Sequence, residues 1–276
     1  MTFNRAFKKF VVMMFFVSAP FGAYAITDSN QISGVSIDEK LGQEIPQQLE
    51  FSDYNGKKIR FSDFFTDGRP VVLTLVYYRC PRLCSYVLNG VLDAVNDLRF
   101  FSLGADYKIV SVSINPTEGP GEAKGKSEVL LKALRDRETG GAEWSFLTGT
   151  QANITRLAES VGFSYFADGD EFAHPSSIIV LTPEGRVSRY LYGIQYPQQD
   201  FRLALIEASD GKIGNSNIIN SVLLYCYKFD PVGRKYALNA LNILKGGGII
   251  TFLSVGLLIA LLIFKDQKKR KRTNGG

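Results

Sequence analysis

Apolar positions along the chain alternate between strand-like and helix-like spacing. Val71–Tyr78 (VVLTLVYY) and Tyr107–Ile114 (YKIVSVSI) are runs rich in β-branched and aromatic residues, which is typical of strands buried on both faces of a sheet. Between them, Ser85–Phe100 carries its apolar residues at helical spacing. A strand, a helix and a second strand in this order predict a βαβ unit.

Shorter patterns complete the layout. Further helices are predicted at Glu122–Arg135, Gln151–Val161, Phe201–Ala208 and Ile218–Tyr227, and further strands at Trp144–Leu147, Ser176–Thr182 and Arg186–Tyr192. The turn sequences Asn55-Gly56, within Leu49–Phe65, and Pro183-Glu184-Gly185 each predict a hairpin. These elements indicate an α/β fold in which a sheet is flanked by helices.

Residues 1–25 have the organisation of a cleaved secretory signal. Three basic residues (Arg5, Lys8 and Lys9) precede a short apolar stretch at Phe10–Val17, and Ala23-Tyr24-Ala25 is a small-residue cleavage pattern. We expect cleavage after Ala25, which leaves a polar segment over residues 26–48. An N-terminal anchor is the alternative, but the apolar stretch is too short to span a bilayer.

The C-terminal region has the pattern of a transmembrane helix with a cytoplasmic tail. Gly246–Phe264 contains no charged residue, and as a helix it would cover about 28 Å of a hydrocarbon core of ~30 Å. The tail, residues 265–276, is strongly basic, so the positive-inside rule places it in the cytoplasm; a patch that binds lipid or nucleic acid is the alternative. Signal and span together predict a domain in the periplasm or another extracytoplasmic space, tethered to the inner membrane of a bacterium.

The formal charge of +5 belongs to the two ends of the chain. Without the terminal basic clusters, acidic side chains outnumber basic ones in the body, so the body lacks the positive surface that nucleic-acid backbones require. Residues Gly119–Ser127 are similar to a phosphate-binding loop, but Pro120 stands where the first glycine is required. We therefore expect neither nucleic acid nor ATP as a partner.

The motif Cys80-Pro81-Arg82-Leu83-Cys84 carries the most information about chemistry. Cys80 follows a predicted core strand and Cys84 lies just before or within the first turn of the predicted helix, so the two sulfurs can converge on one helix face if the helix has begun there. A helix N-terminus and a neighbouring arginine both favour the thiolate, which attacks disulfides and binds metals. A structural disulfide or a pair of buried thiols has the same spacing, and that alternative stays open.

His174 is the only histidine in the chain, and all three methionines lie within the predicted signal. It belongs to a polar loop that leads into the strand Ser176–Thr182, from which it can reach the cysteine pair if that strand lies beside the first one. A lone histidine is more often a surface or core residue than a ligand. Two thiolates and one imidazole nevertheless form a ligand set that suits copper in either oxidation state, or zinc.

These segments together resemble the Sco (SenC) family. The resemblance rests on Val72–Asn89 (VLTLVYYRCPRLCSYVLN), on SVSINPTEGPGEAK, and on a single histidine before a strand–Pro-Glu-Gly–strand unit that ends in RYLYG; it covers roughly residues 49–236. It implies a membrane-tethered, thioredoxin-like protein that handles copper, with Cys80, Cys84 and His174 as the copper ligands. It also implies a client protein. One candidate is subunit II of a cytochrome c oxidase, whose dinuclear copper site would receive the metal or have its cysteines reduced beforehand. The other is a different periplasmic copper or thiol protein.

The chain departs from the family pattern beside the motif. Arg79 stands where threonine is common, Ser85 where proline is common, and Asn115 where aspartate is common. The predicted tether is C-terminal, whereas many relatives have an N-terminal anchor. Some bacterial relatives have a segment similar to Cys226–Pro231 (CYKFDP) before a C-terminal span; Cys226 is either a buried apolar residue or a further thiol near the membrane.

Three functions are compatible with these residues. The first is a copper metallochaperone that uses Cys80, Cys84 and His174. The second is a thiol–disulfide reductase with Cys80 and Cys84 as its redox pair, and the third is a tethered binding module with a structural disulfide. Copper binding that depends on His174 separates the first function from the second.

Overall fold

The computed structural model describes residues 35–80, 83–135, 143–169 and 171–210, together with 227–230, 235–238, 244–245 and 248–257. The strands are β1 (Ser36–Ile37), β2 (Glu50–Ser52), β3 (Lys58–Arg60), β4 (Val71–Val76), β5 (Lys108–Ser113), β6 (Trp144–Leu147), β7 (Phe163–Ser164), β8 (Phe166–Asp168), β9 (Glu171–Ala173), β10 (Ser177–Leu181), β11 (Val187–Tyr192), β12 (Tyr227–Asp230) and β13 (Lys235–Leu238). The α-helices are α1 (Leu83–Asp97), α2 (Pro120–Ala133), α3 (Gln151–Ser160) and α4 (Gln198–Ala208), and a 3-10 helix spans Phe61–Phe65.

A five-stranded sheet in the order β11-β10-β4-β5-β6 forms the core. β4, β5 and β6 are parallel, whereas β10 runs antiparallel to β4 and β11 antiparallel to β10. Every residue of β4 and of β5 is buried, which explains why their sequences are rich in apolar residues rather than alternating in polarity. The predicted α/β architecture, with a sheet and flanking helices, is confirmed.

The strand order brings two distant segments of the chain to one edge of the sheet. In the β4–β10 ladder, Ile178 lies opposite Thr74 and Leu181 opposite Val71. The beginning of β10 therefore lies beside the end of β4. The loop that leaves β4 and the loop that enters β10 meet at the carboxyl end of the parallel strands, where open α/β sheets hold their ligands.

The helices confirm the predicted spacing patterns, with small shifts at their ends. α1 buries Val87, Leu88 and Val91 on the face that covers the sheet. α2 begins at Pro120, two residues before the predicted start, because proline is well suited to the first helical position, where no N–H partner is needed.

Both predicted hairpins are present. β2 pairs with β3 across the Asn55-Gly56 turn, in which Asp53 Oδ1 accepts hydrogen bonds from the backbone N–H groups of Asn55 and Lys57. β10 pairs with β11 across Pro183-Glu184-Gly185. Gly185 has φ +77°, a left-handed conformation that favours glycine.

Several short strand pairs were not predicted from the sequence. β8 and β9 form a small hairpin directly before His174, where only a polar loop was expected. β1 pairs with β7, and the backbone of Gly42 and Gln43 hydrogen-bonds to Val187 of β11, so part of the polar N-terminal segment covers one edge of the sheet.

The C-terminal predictions are described only in part. Residues 218–226 of the predicted helix Ile218–Tyr227 lie outside the described residues, and Tyr227 itself begins strand β12, so its assignment to a helix was wrong. Residues 248–257 of the predicted span are helical, and the rest of that span lies largely outside the described residues. No helix among the described residues has the length and apolarity needed to cross a membrane. The predicted signal over residues 1–25 also lies outside them.

Two glycines in helices test how tightly α1 is packed. A Cβ on Gly90 of α1 would lie 2.1 Å from the carbonyl oxygen of Ile194, whereas a Cβ on Gly125 of α2 would meet nothing within 4 Å. We predict that Gly90→Ala lowers the free energy of unfolding by about 1–3 kcal/mol, because the clash outweighs the gain in helix propensity. Gly125→Ala is the matched control and should raise it by about 0.5–1 kcal/mol. Urea denaturation of both variants measures the difference, and equal stabilisation of both would contradict the close packing of α1.

Candidate metal centre

Cys80 and Cys84 lie where the sequence predicted them, at the carboxyl end of the first core strand. β4 ends at Val76, a short loop carries Cys80, and α1 begins at Leu83, so that Cys84 falls in its first turn. Both side chains are buried, and both are reduced thiols rather than a disulfide. The two thiols also hydrogen-bond with each other. Pro81 and Arg82, as well as the third cysteine, Cys226, lie outside the described residues.

His174 reaches the cysteine pair from the neighbouring loop. It lies between β9 and β10, and its Nε2 is 2.8 Å from Cys84 Sγ although the two residues are 90 positions apart in the chain. The imidazole is 5% exposed, and the ring of Phe163 stacks on it with a centroid distance of 6.0 Å. The structure therefore brings together the three residues that the sequence singled out.

A backbone carbonyl determines which ring nitrogen of His174 carries the proton, and therefore that the nitrogen facing the sulfur is an acceptor. Nδ1 is 3.0 Å from the carbonyl oxygen of Pro175, and a carbonyl can only accept a hydrogen bond, so Nδ1 carries the proton. Burial lowers the pKa of His174, which keeps the ring neutral. Nε2 then directs its lone pair at Cys84 Sγ, as a metal-binding imidazole does when its other nitrogen is held by a carbonyl.

The environment of Cys84 favours a protonated thiol in the absence of a metal. Burial raises the pKa of the Cys84 thiol, and this shift is opposed by the backbone N–H of Tyr77, which donates to the sulfur at 3.4 Å, and by the Lys126 ammonium. A neutral thiol beside a neutral imidazole satisfies both buried groups. A metal cation that binds here must displace the thiol proton, so binding couples to proton release.

Tyr77 was assigned to the core from the sequence, and it also belongs to the site. Its phenol hydrogen-bonds to the side chain of Cys80, and its ring contacts Phe172 and His174 edge-on, with centroid distances of 5.6 and 6.3 Å. Burial raises the pKa of Tyr77, so the phenol is a neutral hydrogen-bonding group. Its position at the end of an apolar strand gave no signal that would separate it from a core tyrosine.

Glu118 is a second residue that the sequence did not single out. Its side chain is fully buried. One carboxylate oxygen accepts from the Tyr78 N–H at 2.8 Å and from the Ser113 hydroxyl at 2.6 Å, and the other accepts from the Arg79 N–H at 2.7 Å. The loop between β4 and Cys80 is thus held by a carboxylate from the loop that follows β5. Glu118 lies within the SVSINPTEGPGEAK segment, which is the only signal the sequence offered.

The donor set fits a soft or borderline metal ion. Among the described residues, no three Cys, His, Asp or Glu side chains are already arranged as the ligands of a metal. The Cys80–Cys84 and Cys84–His174 contacts nevertheless place two sulfurs and one imidazole nitrogen in a connected group. Thiolate sulfur with imidazole nitrogen is the combination that copper and zinc prefer over hard, oxygen-binding cations.

Residues 37–204 match the family model described as SCO1/SenC, which is more than half of the chain. The chain belongs to the SCO1/SenC family. This confirms the resemblance to the Sco (SenC) family, which rested on the cysteine motif, the distant histidine and the segment Ser111–Lys124. Comparison with curated protein sequences gives no match.

Solved structures of SCO1/SenC proteins share the fold. A SCO1/SenC family lipoprotein from Bacillus anthracis is 19% identical, with a TM-score of 0.51, and the match covers 63% of this chain and 99% of that one. BsSco, a member of the Sco family of cytochrome c oxidase assembly proteins in which a disulfide switch has been identified, is 21% identical with a TM-score of 0.50, over 63% and 98% of the two chains. A structure described as an electron transfer protein, from Aquifex aeolicus VF5, also shares the fold: it is 22% identical with a TM-score of 0.54, and the match covers 61% of this chain and 94% of that one.

The buried carboxylate of Glu118 gives a test of how the cysteine loop of this SCO1/SenC protein is held. Glu118→Gln replaces one acceptor oxygen with an amide NH₂, which leaves a buried donor without a partner. We predict a loss of about 1–3 kcal/mol in the free energy of unfolding. Hydrogen exchange of the Tyr78 and Arg79 amides should accelerate, because both lose a charged acceptor.

Glu128→Gln is the matched control, since Glu128 is exposed on α2. Its effect should stay within about 0.5 kcal/mol. Unchanged exchange at Tyr78 and Arg79 in Glu118→Gln would show that the carboxylate does not hold this loop.

Proposed function

We propose that this protein is a copper metallochaperone of the bacterial inner membrane, and that Cys80, Cys84 and His174 bind the copper. The observation that carries the proposal is the contact between Cys84 Sγ and His174 Nε2 at 2.8 Å, with Nδ1 held by the Pro175 carbonyl. An imidazole held in this way presents a lone pair, not a proton, to whatever binds beside the sulfur. Copper is the cargo of the protein, and these three residues bind it and later release it.

The chemistry of the ligands favours copper over other cations. Two thiolates and one imidazole supply three donors, whereas structural zinc sites are almost always closed by four. Soft thiolates select Cu(I), and imidazole suits copper in both common oxidation states. Burial by Tyr77, Phe163 and α1 keeps water away from the ligands, which protects a thiolate–copper bond from hydrolysis and oxidation.

The proposed client is subunit II of a respiratory cytochrome c oxidase, at its dinuclear copper site. Membership in the SCO1/SenC family and the similarity of fold to BsSco, a member of the Sco family of cytochrome c oxidase assembly proteins, support this choice. Transfer proceeds by ligand exchange: thiols of the client displace Cys80, Cys84 and His174 from the metal one at a time. Another periplasmic copper or thiol protein is the alternative client.

We further propose that the domain is exported and tethered by a C-terminal helix. The family match begins at residue 37, after the proposed signal over residues 1–25. Residues 248–257 form a helix with exposed Ile249, Ile250, Phe252 and Leu253, which are side chains suited to lipid rather than water. The uncharged stretch 246–264 and the basic tail 265–276 then place the C-terminus in the cytoplasm.

Thiol–disulfide reduction is the second candidate function, and the reduced, hydrogen-bonded pair of thiols supports it. One thiolate attacks a sulfur of the target disulfide and forms a mixed disulfide, and the target's other sulfur leaves as a thiolate. The second cysteine then attacks the mixed disulfide, which transfers two electrons to the target and leaves a Cys80–Cys84 disulfide. A separate dithiol reductant must return the pair to its reduced form.

His174→Ala distinguishes the two functions. We predict that the reduced full-length protein in detergent binds one copper ion per chain, and that His174→Ala lowers the copper affinity more than about a hundredfold. That figure is the upper end of what losing a residue that only supports a ligand costs, and His174 is proposed as a ligand itself. Titration against a chromophoric copper chelator measures the change, and an unaltered affinity would rule out the three-ligand site.

Cysteine variants test the reductase function separately. In a Cys226→Ser background, Cys80→Ser and Cys84→Ser should each abolish reduction of a model peptide disulfide, because the mixed disulfide either cannot form or cannot be resolved. His174→Ala in the same background should retain most of the exchange. Stopped-flow fluorescence of a quenched disulfide peptide follows the reaction, and full exchange in both cysteine variants would exclude this function.

A further inference from the structure

Lys126 reaches the cysteine loop from helix α2. Its Nζ donates to the hydroxyl of Ser85 at 3.3 Å, and that hydroxyl donates to the backbone carbonyl of Cys80 at 2.9 Å. Ser85 directly follows Cys84, so this chain of two hydrogen bonds joins the lysine to both ends of the CxxxC segment. The Lys126 side chain is half-buried, which limits the screening of its charge by solvent.

No carboxylate pairs with Lys126 among the described residues. Arg79, a second cation beside the loop in the part of the chain that the structure describes, differs in this respect. Its Nε is 3.6 Å from the buried carboxylate of Glu118, and its guanidinium also donates to Thr117 Oγ1. The charge of Arg79 is therefore opposed locally by Glu118, whereas no carboxylate of the described residues opposes the positive charge of Lys126 beside the cysteine loop.

The charge of the loaded site depends on the oxidation state of the copper. Two thiolates and a neutral imidazole carry a charge of −2, so a site with Cu(I) is −1 and a site with Cu(II) is neutral. A fixed positive charge beside the ligands stabilises the anionic state more than the neutral one. Lys126 thus raises the affinity of the site for Cu(I) relative to its affinity for Cu(II).

We propose that Lys126 is a positioning residue that makes the site retain Cu(I) in preference to Cu(II), through its contact with Ser85 and its charge. The proposal rests on the copper site assigned above and deepens it, because it names the oxidation state that the protein carries. It also assigns a role to Ser85, whose hydroxyl holds the ammonium at the loop. Lys126 donates its hydrogen bond to Ser85 and is not itself a copper ligand.

The test measures Cu(I) and Cu(II) affinities separately on the full-length protein in detergent. Lys126→Met removes the charge but keeps much of the side-chain length. It should weaken Cu(I) binding about tenfold, the effect of one partly screened charge, and leave Cu(II) binding within about threefold. The reduction potential of the bound copper should fall accordingly, by about 59 mV for a tenfold change in a one-electron couple.

Two further variants keep the test decisive. Lys126→Arg retains the charge and should restore the preference for Cu(I). Lys124→Met removes an exposed lysine two positions away, on another face of α2, and should leave both affinities and the potential as in the wild type. If Lys126→Met does not fold by circular dichroism, Lys126→Gln replaces it in the same comparison.

The outcomes distinguish the proposed role of Lys126 from the proposed copper site itself. Equal loss of Cu(I) and Cu(II) affinity, or no change in either, overturns the role of Lys126 while the copper site stands. A shift of the same size in Lys124→Met also overturns it, because the effect would then be one of overall charge. Wild-type protein that binds neither ion overturns the proposed function, and this inference with it.

Discussion

The contact between Cys84 and His174 is the constraint on which the site depends. Its two residues come from elements 90 positions apart, and they meet because β10 pairs antiparallel with β4 and so begins where β4 ends. Both side chains are buried, so neither can turn to water for a hydrogen bond. A shift in the register of these strands would remove this hydrogen bond and leave Nε2 of the buried imidazole without its partner, which costs free energy in the protein interior.

The surrounding groups make this contact suitable for a metal rather than for general acid–base chemistry. Burial keeps His174 neutral, and the Pro175 carbonyl orients its ring. Glu118 holds the backbone before Cys80 by accepting hydrogen bonds from the N–H groups of Tyr78 and Arg79. The cysteine loop is thereby fixed by a buried carboxylate, while the His174 ring lies against the rings of Tyr77 and Phe163. A cation that bound to Cys84 here would have to displace the thiol proton.

The sequence predicted the parts of this arrangement that follow from local patterns. Buried strands such as β4 have continuous apolar runs, and the spacing of Cys80 and Cys84 at a strand–helix junction can be read directly from the amino-acid sequence. The role of Tyr77 was not predictable, because a tyrosine at the end of a buried strand has the same pattern whether its hydroxyl meets a backbone carbonyl or a thiol. Glu118 and Lys126 act through contacts 40 or so positions away in the chain, and no periodicity encodes such contacts. The short hairpin β8–β9 also escaped prediction, since three-residue strands rich in acidic side chains resemble a loop.

X-ray absorption spectroscopy at the copper edge, on the Cu(I)-loaded full-length protein, tests the central claim most directly, because it counts the ligand atoms by element. The account predicts two sulfur scatterers and one imidazole nitrogen per copper ion in the wild-type protein, and loss of the nitrogen alone in His174→Ala. A first shell without sulfur, or one that is unchanged when His174 is replaced, would contradict it.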